Sequence, residues 1–221
     1  MNFVVVVLAS LIPGLLWVRY FYLQDRFEPE PFFLLVRVFL AGAASVVFAA
    51  LLEYPFSSFL TQEHSLTTKA IMSFLVIGLG EEFFKAAAVY FAAFKSYELN
   101  EPMDGIIYGI TAGIGFSVVE NILYTAAFGL SIVPFRAFTA SLAHACFSGI
   151  FGAFCGRAKF GQEPHTDLIK GLLIAAFMHG LYDFILISQI LSPLAAVIMV
   201  ILSYLLLRYY IVQALIKSPF N

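Results

Sequence analysis

Long apolar runs, broken at intervals by short polar segments, occur near residues 2–23, 33–55, 69–94, 105–127, 134–157, 166–188 and 191–217. An α-helix rises about 1.5 Å per residue, so each run is long enough to cross about 30 Å of hydrocarbon. The breaks carry turn chemistry: Glu28-Pro29-Glu30-Pro31, Ser57-Ser58, Asn100-Glu101-Pro102, Pro134, Gly161 to Pro164, and Ser192-Pro193. The pattern predicts an all-α polytopic membrane protein with about seven transmembrane helices, organised as one integral membrane domain over residues 1–221. The break at Ser192-Pro193 is short enough to make the last two spans a tight hairpin. The first run has no basic start and no small-residue cleavage site, so it reads as a retained span and not as a removable signal.

Composition removes the soluble alternative. Of the 221 residues 62% are hydrophobic and 12% charged, against roughly 45–50% and 25% in soluble domains. A net charge of -2, with most of the few charges clustered in short segments between apolar runs, gives no basic face for nucleic acid. The lipid bilayer is the partner that composition does imply. Cys146 and Cys155 share one apolar run at a spacing that suits neither a zinc knuckle nor a redox pair, and are expected to be buried thiols.

Basic residues choose between the two orientations of an odd number of spans. Arg19, Arg26, Arg37, Lys95, Arg157, Lys159, Lys170, Arg208 and Lys217 lie on or beside one set of connectors, whereas Lys69 and Arg136 flank the other. The first set is expected to be cytoplasmic, which puts the N-terminus outside and the C-terminus in the cytoplasm. Counting helical rise inward from the outer face then places Glu81 about 18 Å deep, Glu120 about 10 Å, His144 about 15 Å and His179 about 14 Å. Acids and imidazoles from four spans therefore fall at comparable depths, with Asp183 slightly nearer the outside.

An ionisable side chain at mid-bilayer costs on the order of 3 kcal/mol, which marks these residues as candidates for function. Glu81 and Glu82 are followed by Lys85 at positions that allow it to pair with either. A buried ion pair locking two helices would need only one of the two glutamates. Glu120 and Asn121 follow Phe116 by about one turn. His179 and Asp183 sit at i,i+4, where an acid orients an imidazole, and His144 supplies a second ring. His64 and His165 fall in connectors and are expected to be solvated. Gly105, Gly109 and Gly113, with Gly152 and Gly156 on the next span, form small-residue stripes that permit close helix approach. The segment from Asp25 to Pro31 reads as a stiff juxtamembrane connector.

Peptide hydrolysis inside a membrane requires an activated water, stabilisation of the oxyanion and a shielded route for substrate. This residue set supplies such groups. No His-Glu-x-x-His occurs, and Ser148-Gly149 lacks the preceding glycine of a rhomboid-type motif. Gly78-Leu79-Gly80-Glu81 and Tyr182-Asp183 stand in the reverse order to the motifs of aspartyl intramembrane proteases.

Taken together, Glu81-Glu82-x-x-Lys85, Phe116-x-x-x-Glu120-Asn121, His144, His179-Gly180-x-Tyr182-Asp183 and the Asp25–Pro31 segment resemble the PrsW proteases. These belong to the broader superfamily of CAAX-processing and bacteriocin-immunity membrane proteins, and the resemblance covers nearly the whole chain. Glu120 stands where the superfamily more usually has histidine, as in the PrsW branch. The resemblance implies a protease of the bacterial cytoplasmic membrane that makes the first cut in a single-span anti-sigma factor, on its extracytoplasmic side.

Two versions of the chemistry follow. In the preferred one no metal is committed: Glu81 or Glu82 is the general base on water, Asp183 orients His179, His144 serves the oxyanion or leaving amine, and Glu120 positions the water or a histidine. Lys85, Asn121 and Phe116 support them. In the other, Glu120, His144 and His179 are ligands of a divalent ion such as zinc. A transporter or proton-coupled channel, or an immunity protein of the same fold without hydrolysis, would use the same polar cluster for other ends.

Overall fold

The computed structural model describes residues 2–61 and 64–221. Seven long helical stretches make up the bundle: α1 (Phe3–Tyr22), α2 (Phe32–Glu53), a composite α3, α4 (Pro102–Phe128), α5 (Ala140–Phe160), α6 (Pro164–Ser188) and α7 (Pro193–Ile216). Stretch α3 is continuous but irregular, with α-helix at Leu66–Ile71 and Leu79–Val89, and wider π turns at Met72–Gly78 and Tyr90–Phe94. Among the described residues there is no strand.

Among the described residues six helices are long and apolar enough to cross a membrane. The sequence expectation of about seven adds the 69–94 run. That run is α3, where π turns and the charged residues Glu81, Glu82 and Lys85 interrupt an otherwise apolar helix. His165, expected in a connector, lies in the first turn of α6.

Helix ends follow their local chemistry. The Asn2 side chain accepts the Val4 N–H at 2.9 Å, and Pro stands in the first turn of α4, α6 and α7, where no intrahelical donor is lost. Gly129, at φ 87°, ends α4 in a backbone conformation open to glycine, and Gln189, at φ 56°, ends α6.

Helix α4 is the centre of the bundle, buried on every side from Met103 to Val118. Helix α5 packs along it through the two glycine stripes. A Cβ at Gly105 would stand 2.5 Å from the Gly152 carbonyl oxygen, and one at Gly156 would stand 2.7 Å from that of Pro102. Helices α1, α2 and α7 turn large apolar side chains such as Phe3, Leu40, Leu51, Leu202 and Leu205 outward, as a lipid-facing surface requires. Both cysteines are buried free thiols.

The Asp25–Pro31 connector is more than a spacer. Asp25 and Glu30 are buried beside Asp104 in the first turn of α4. Burial and the surrounding acids push the Asp25 carboxyl up to about 7 and that of Glu30 up to about 11.

Candidate active site

The middle segment of α3 carries Glu81, Glu82 and Lys85, all buried. Its approach to α6 is set by glycines. A Cβ at Gly78 would lie 2.7 Å from the Ala176 carbonyl oxygen, and one at Gly180 would lie 2.7 Å from the Phe74 Cα. The π turn at Met72–Gly78 therefore meets α6 backbone to backbone, beside His179.

Lys85 is the hub. Its ammonium donates to Glu81 Oε2 at 3.0 Å, to Glu82 Oε1 at 2.9 Å and to His144 Nδ1 at 2.8 Å. An ammonium has three protons, and three acceptors surround it. It also stands 4.0 Å from the centroid of the Phe116 ring, a cation–π contact. The spacing allows Lys85 to pair with either glutamate, and in the structure it pairs with both, because i+3 and i+4 spacing brings both carboxylates to one side chain.

The two histidines meet edge-on, with centroids 5.0 Å apart. His179 Nδ1 is 3.0 Å from Glu82 Oε1, while its Nε2 lies 3.3 Å from Asp183 Oδ2 and 3.7 Å from Glu81 Oε2. Glu82 thus has the hydrogen-bonding position on the ring. Its other oxygen accepts from the Ser148 hydroxyl at 3.1 Å. His144 Nε2 is 2.9 Å from Glu120 Oε2, which also receives Arg136 Nη2 at 2.8 Å. Arg136 Nε reaches Asn121 Oδ1 at 2.6 Å, and Asn121 in turn donates to the Ser141 hydroxyl at 3.0 Å.

All the residues singled out from sequence as a site therefore belong to one connected network across α3, α4, α5 and α6. Arg136, Ser148 and Ser141 join it as further members, and Glu53 lines the same cavity. Arg136 was read as a connector charge, but the short helix Val133–Phe138 folds it back over Glu120. Glu53 offered one signal, an acid inside the 33–55 apolar run.

A cavity of about 530 Å3 opens onto this network. Glu81, Glu120, His144, His179, Asp183, Arg136 and Glu53 line it, whereas Glu82 and Lys85 lie behind the wall. Phe128, Ile132 and Ile187 at its rim belong to the end of the bundle where α4 passes to α5 and α6 ends.

The donor set has the residue types and spacing of a metal site. An oxygen of Glu81 and one ring nitrogen each from His144 and His179 lie within 4.8 Å of one another, all on buried residues. Two imidazoles and one carboxylate are a familiar zinc set. Glu120, expected as a ligand in place of Glu81, is instead engaged by Arg136 and His144. The carboxyl groups of Glu81, Glu82, Glu120 and Asp183 outnumber the cations Lys85 and Arg136 beside them, which leaves oxygen donors for a bound cation. Asp183 Oδ2 and Glu53 Oε1 are buried without a hydrogen-bond partner. The residues present fit a divalent ion.

A family model described as PrsW family intramembrane metalloprotease matches residues 30–209. A protein named Protease PrsW from Geobacillus kaustophilus is 36% identical over 182 residues, covering 82% of this chain and 79% of its own. The Protease PrsW of Oceanobacillus iheyensis is 34% identical over 90% of this chain and 94% of its own, and that of Bacillus subtilis is 31% identical over 82% of each. No solved structure matches. The chain belongs to the PrsW family of intramembrane proteases, and is thus a peptidase of the cell membrane that crosses the bilayer several times.

Proposed function

We propose that this protein hydrolyses a peptide bond of a single-span membrane protein, an anti-sigma factor by family resemblance, making the first cut on its extracytoplasmic side in the bacterial cytoplasmic membrane. The observation that carries the reading is the division of the cluster. Glu81, His144, His179 and Asp183 face the cavity, and Glu82 with Lys85 hold the first three from behind. The basic connectors support the side of the cut, since the cavity rim lies at the end opposite the arginine- and lysine-rich one.

Glu82 accepts the Nδ1 proton of His179 and so leaves the Nε2 lone pair toward the cavity. Glu81, His144 and His179 would hold a divalent ion of the zinc class, which when bound supplies Lewis-acid activation of water and of the peptide carbonyl. Asp183, whose Oδ2 stands at the cavity 3.3 Å from His179 Nε2 and accepts no hydrogen bond, accepts the proton released by the attacking water. The apolar wall formed by Val46, Ala49 and Leu123 excludes bulk water and accommodates substrate side chains.

One observation favours a second, metal-free reading. Both ring nitrogens of His144 are already engaged, by Lys85 and by Glu120, and Lys85 neutralises the glutamates. Glu81 would then take the water proton. Cleavage of a single-span substrate in vesicles, after metal stripping with strong chelator and after zinc is restored, separates the two. Loss and recovery support the metal site, and full activity in chelator supports Glu81 as base. Undiminished cleavage by both Glu81→Gln and His179→Ala would overturn the site in either form.

A further inference from the structure

A second buried polar group lies at the other end of α4. Asp104 and Glu120 are sixteen positions apart on that helix, or about 24 Å by helical rise, so the two groups are separate. Asp25 and Glu30 from the α1–α2 connector meet Asp104 there, each contributing a carboxylate oxygen within 4.8 Å of the others.

The scaffold holds one side of these acids and leaves the other side open. Asp104 Oδ2 accepts the backbone N–H groups of Asn100 and Glu101, both at 2.7 Å, while its Oδ1 has no partner. Glu30 Oε2 accepts the Tyr108 hydroxyl, while its Oε1 has none. Asp25 is 4% exposed, and neither of its carboxylate oxygens has a partner. Among the described residues no basic side chain forms an ion pair with any of the three. A buried carboxylate without proton, cation or hydrogen bond is costly, so something must complete the group.

We propose that Asp25, Glu30 and Asp104 form a second metal site, which binds a hard divalent cation of the Mg2+ or Ca2+ class and ties the α1–α2 connector to the first turn of α4. The donors are all oxygen, the set preferred by such ions and unlike the imidazole-containing set at the cavity. Bidentate and water ligands complete the coordination of a three-carboxylate site. The competing arrangement is a carboxyl–carboxylate pair in which Glu30 and Asp104 share a proton and no ion binds.

The test uses the full-length protein in lipid nanodiscs, loaded with Zn2+ to occupy imidazole donors and then dialysed against Mn2+. One Mn2+ per chain is expected, without nitrogen hyperfine coupling in its pulsed electron paramagnetic resonance spectrum. Asp25→Asn and Glu30→Gln, checked for helical content, should weaken it by about tenfold or more, since ligand charge sets affinity in oxygen sites. Tyr108→Phe keeps all three acids. It should lower Tb3+ emission sensitised through this site in protein that still takes up the ion, so the proposal remains decidable if the acid variants do not fold. A folded wild type that retains no Mn2+, Ca2+ or Tb3+, uptake unchanged in both acid variants, nitrogen coupling to the bound Mn2+, or Tb3+ emission unaltered by Tyr108→Phe would each overturn it.

Discussion

Glu82 and His179, 97 positions apart in the chain, meet at 3.0 Å between a carboxylate oxygen and the ring Nδ1. The contact assigns different tasks to two adjacent glutamates. Glu82 is enclosed by His179, Lys85 and Ser148, while Glu81 shares Lys85 but reaches the cavity wall.

Glu81→Gln is therefore expected to reduce cleavage by about 10^2-fold to 10^4-fold with folding intact, since it removes a ligand of the ion or, in the metal-free reading, the group that takes the water proton. Glu82→Gln keeps much of the shape around His179 and should cost about 10-fold to 100-fold, as for loss of a ligand-orienting partner. Initial rates on one reconstituted single-span substrate rank the two. The reverse order would place Glu82, not Glu81, at the reacting atoms.

Lys85 is fully buried, and its ammonium is shared by two carboxylates and an imidazole. Lys85→Met leaves those carboxylates in a poorly solvated core, and removal of one partner from a buried ion pair costs about 3–5 kcal/mol. Denaturation of the purified variant in mixed micelles, against wild type, measures the loss. A change below about 1 kcal/mol would mean that the glutamates are balanced by something other than Lys85.

These residues were legible in the sequence for one physical reason: charge is conspicuous against an apolar background. Glu81, Glu82, Lys85, Glu120, His144, His179 and Asp183 all stand inside hydrophobic runs. Their partners were harder to read. Nothing in the spacing indicates that Glu82 meets His179, because that contact depends on π turns in α3 and on Gly78 and Gly180 bringing two backbones together. Arg136 looked like a topology signal because it sits beside Pro134 in a connector, and only the fold of that connector turns its guanidinium inward. The segment Asp25–Pro31 reads from sequence as a stiff connector, since the burial of its acids beside Asp104, some eighty residues away by sequence number, has no local signal.

Arg136 bridges Glu120 and Asn121 with two different nitrogens and stands 3.9 Å from the centroid of the Tyr124 ring. A lysine keeps the charge but lacks the planar fork, so Arg136→Lys should lose the bridge to Asn121 and weaken the hold on Glu120. A double-mutant cycle of Arg136→Lys with Glu120→Gln, read as cleavage rate, should give a coupling of about 0.5–3 kcal/mol. Strict additivity would show that the guanidinium does not act through Glu120.

The contact between Glu120 and His144 depends on how closely α4 and α5 approach, and Gly109 tests that dependence. A Cβ there would collide with the Ser148 carbonyl oxygen and stand 3.0 Å from the Gly152 Cα, so the obstruction is backbone that cannot rotate away. Ser148 is one turn from His144 and donates to Glu82, which means that separating the helices disturbs both sides of the site at once. Gly109→Ala is expected to cost about 1–3 kcal/mol of stability, as overpacking does, and to lower cleavage in the protein that remains folded. Gly14 is the matched control. A Cβ there meets the Val118 Cγ2 at 2.5 Å and the Ile114 Cγ2 at 3.2 Å, so it too overpacks a helix contact, but it lies on α1, away from the cavity lining and from the α4–α5 approach. Gly14→Ala should therefore retain most of the wild-type cleavage rate. Equal losses in the two variants, by thermal denaturation and by rate, would show that the α4–α5 approach has no special bearing on the site.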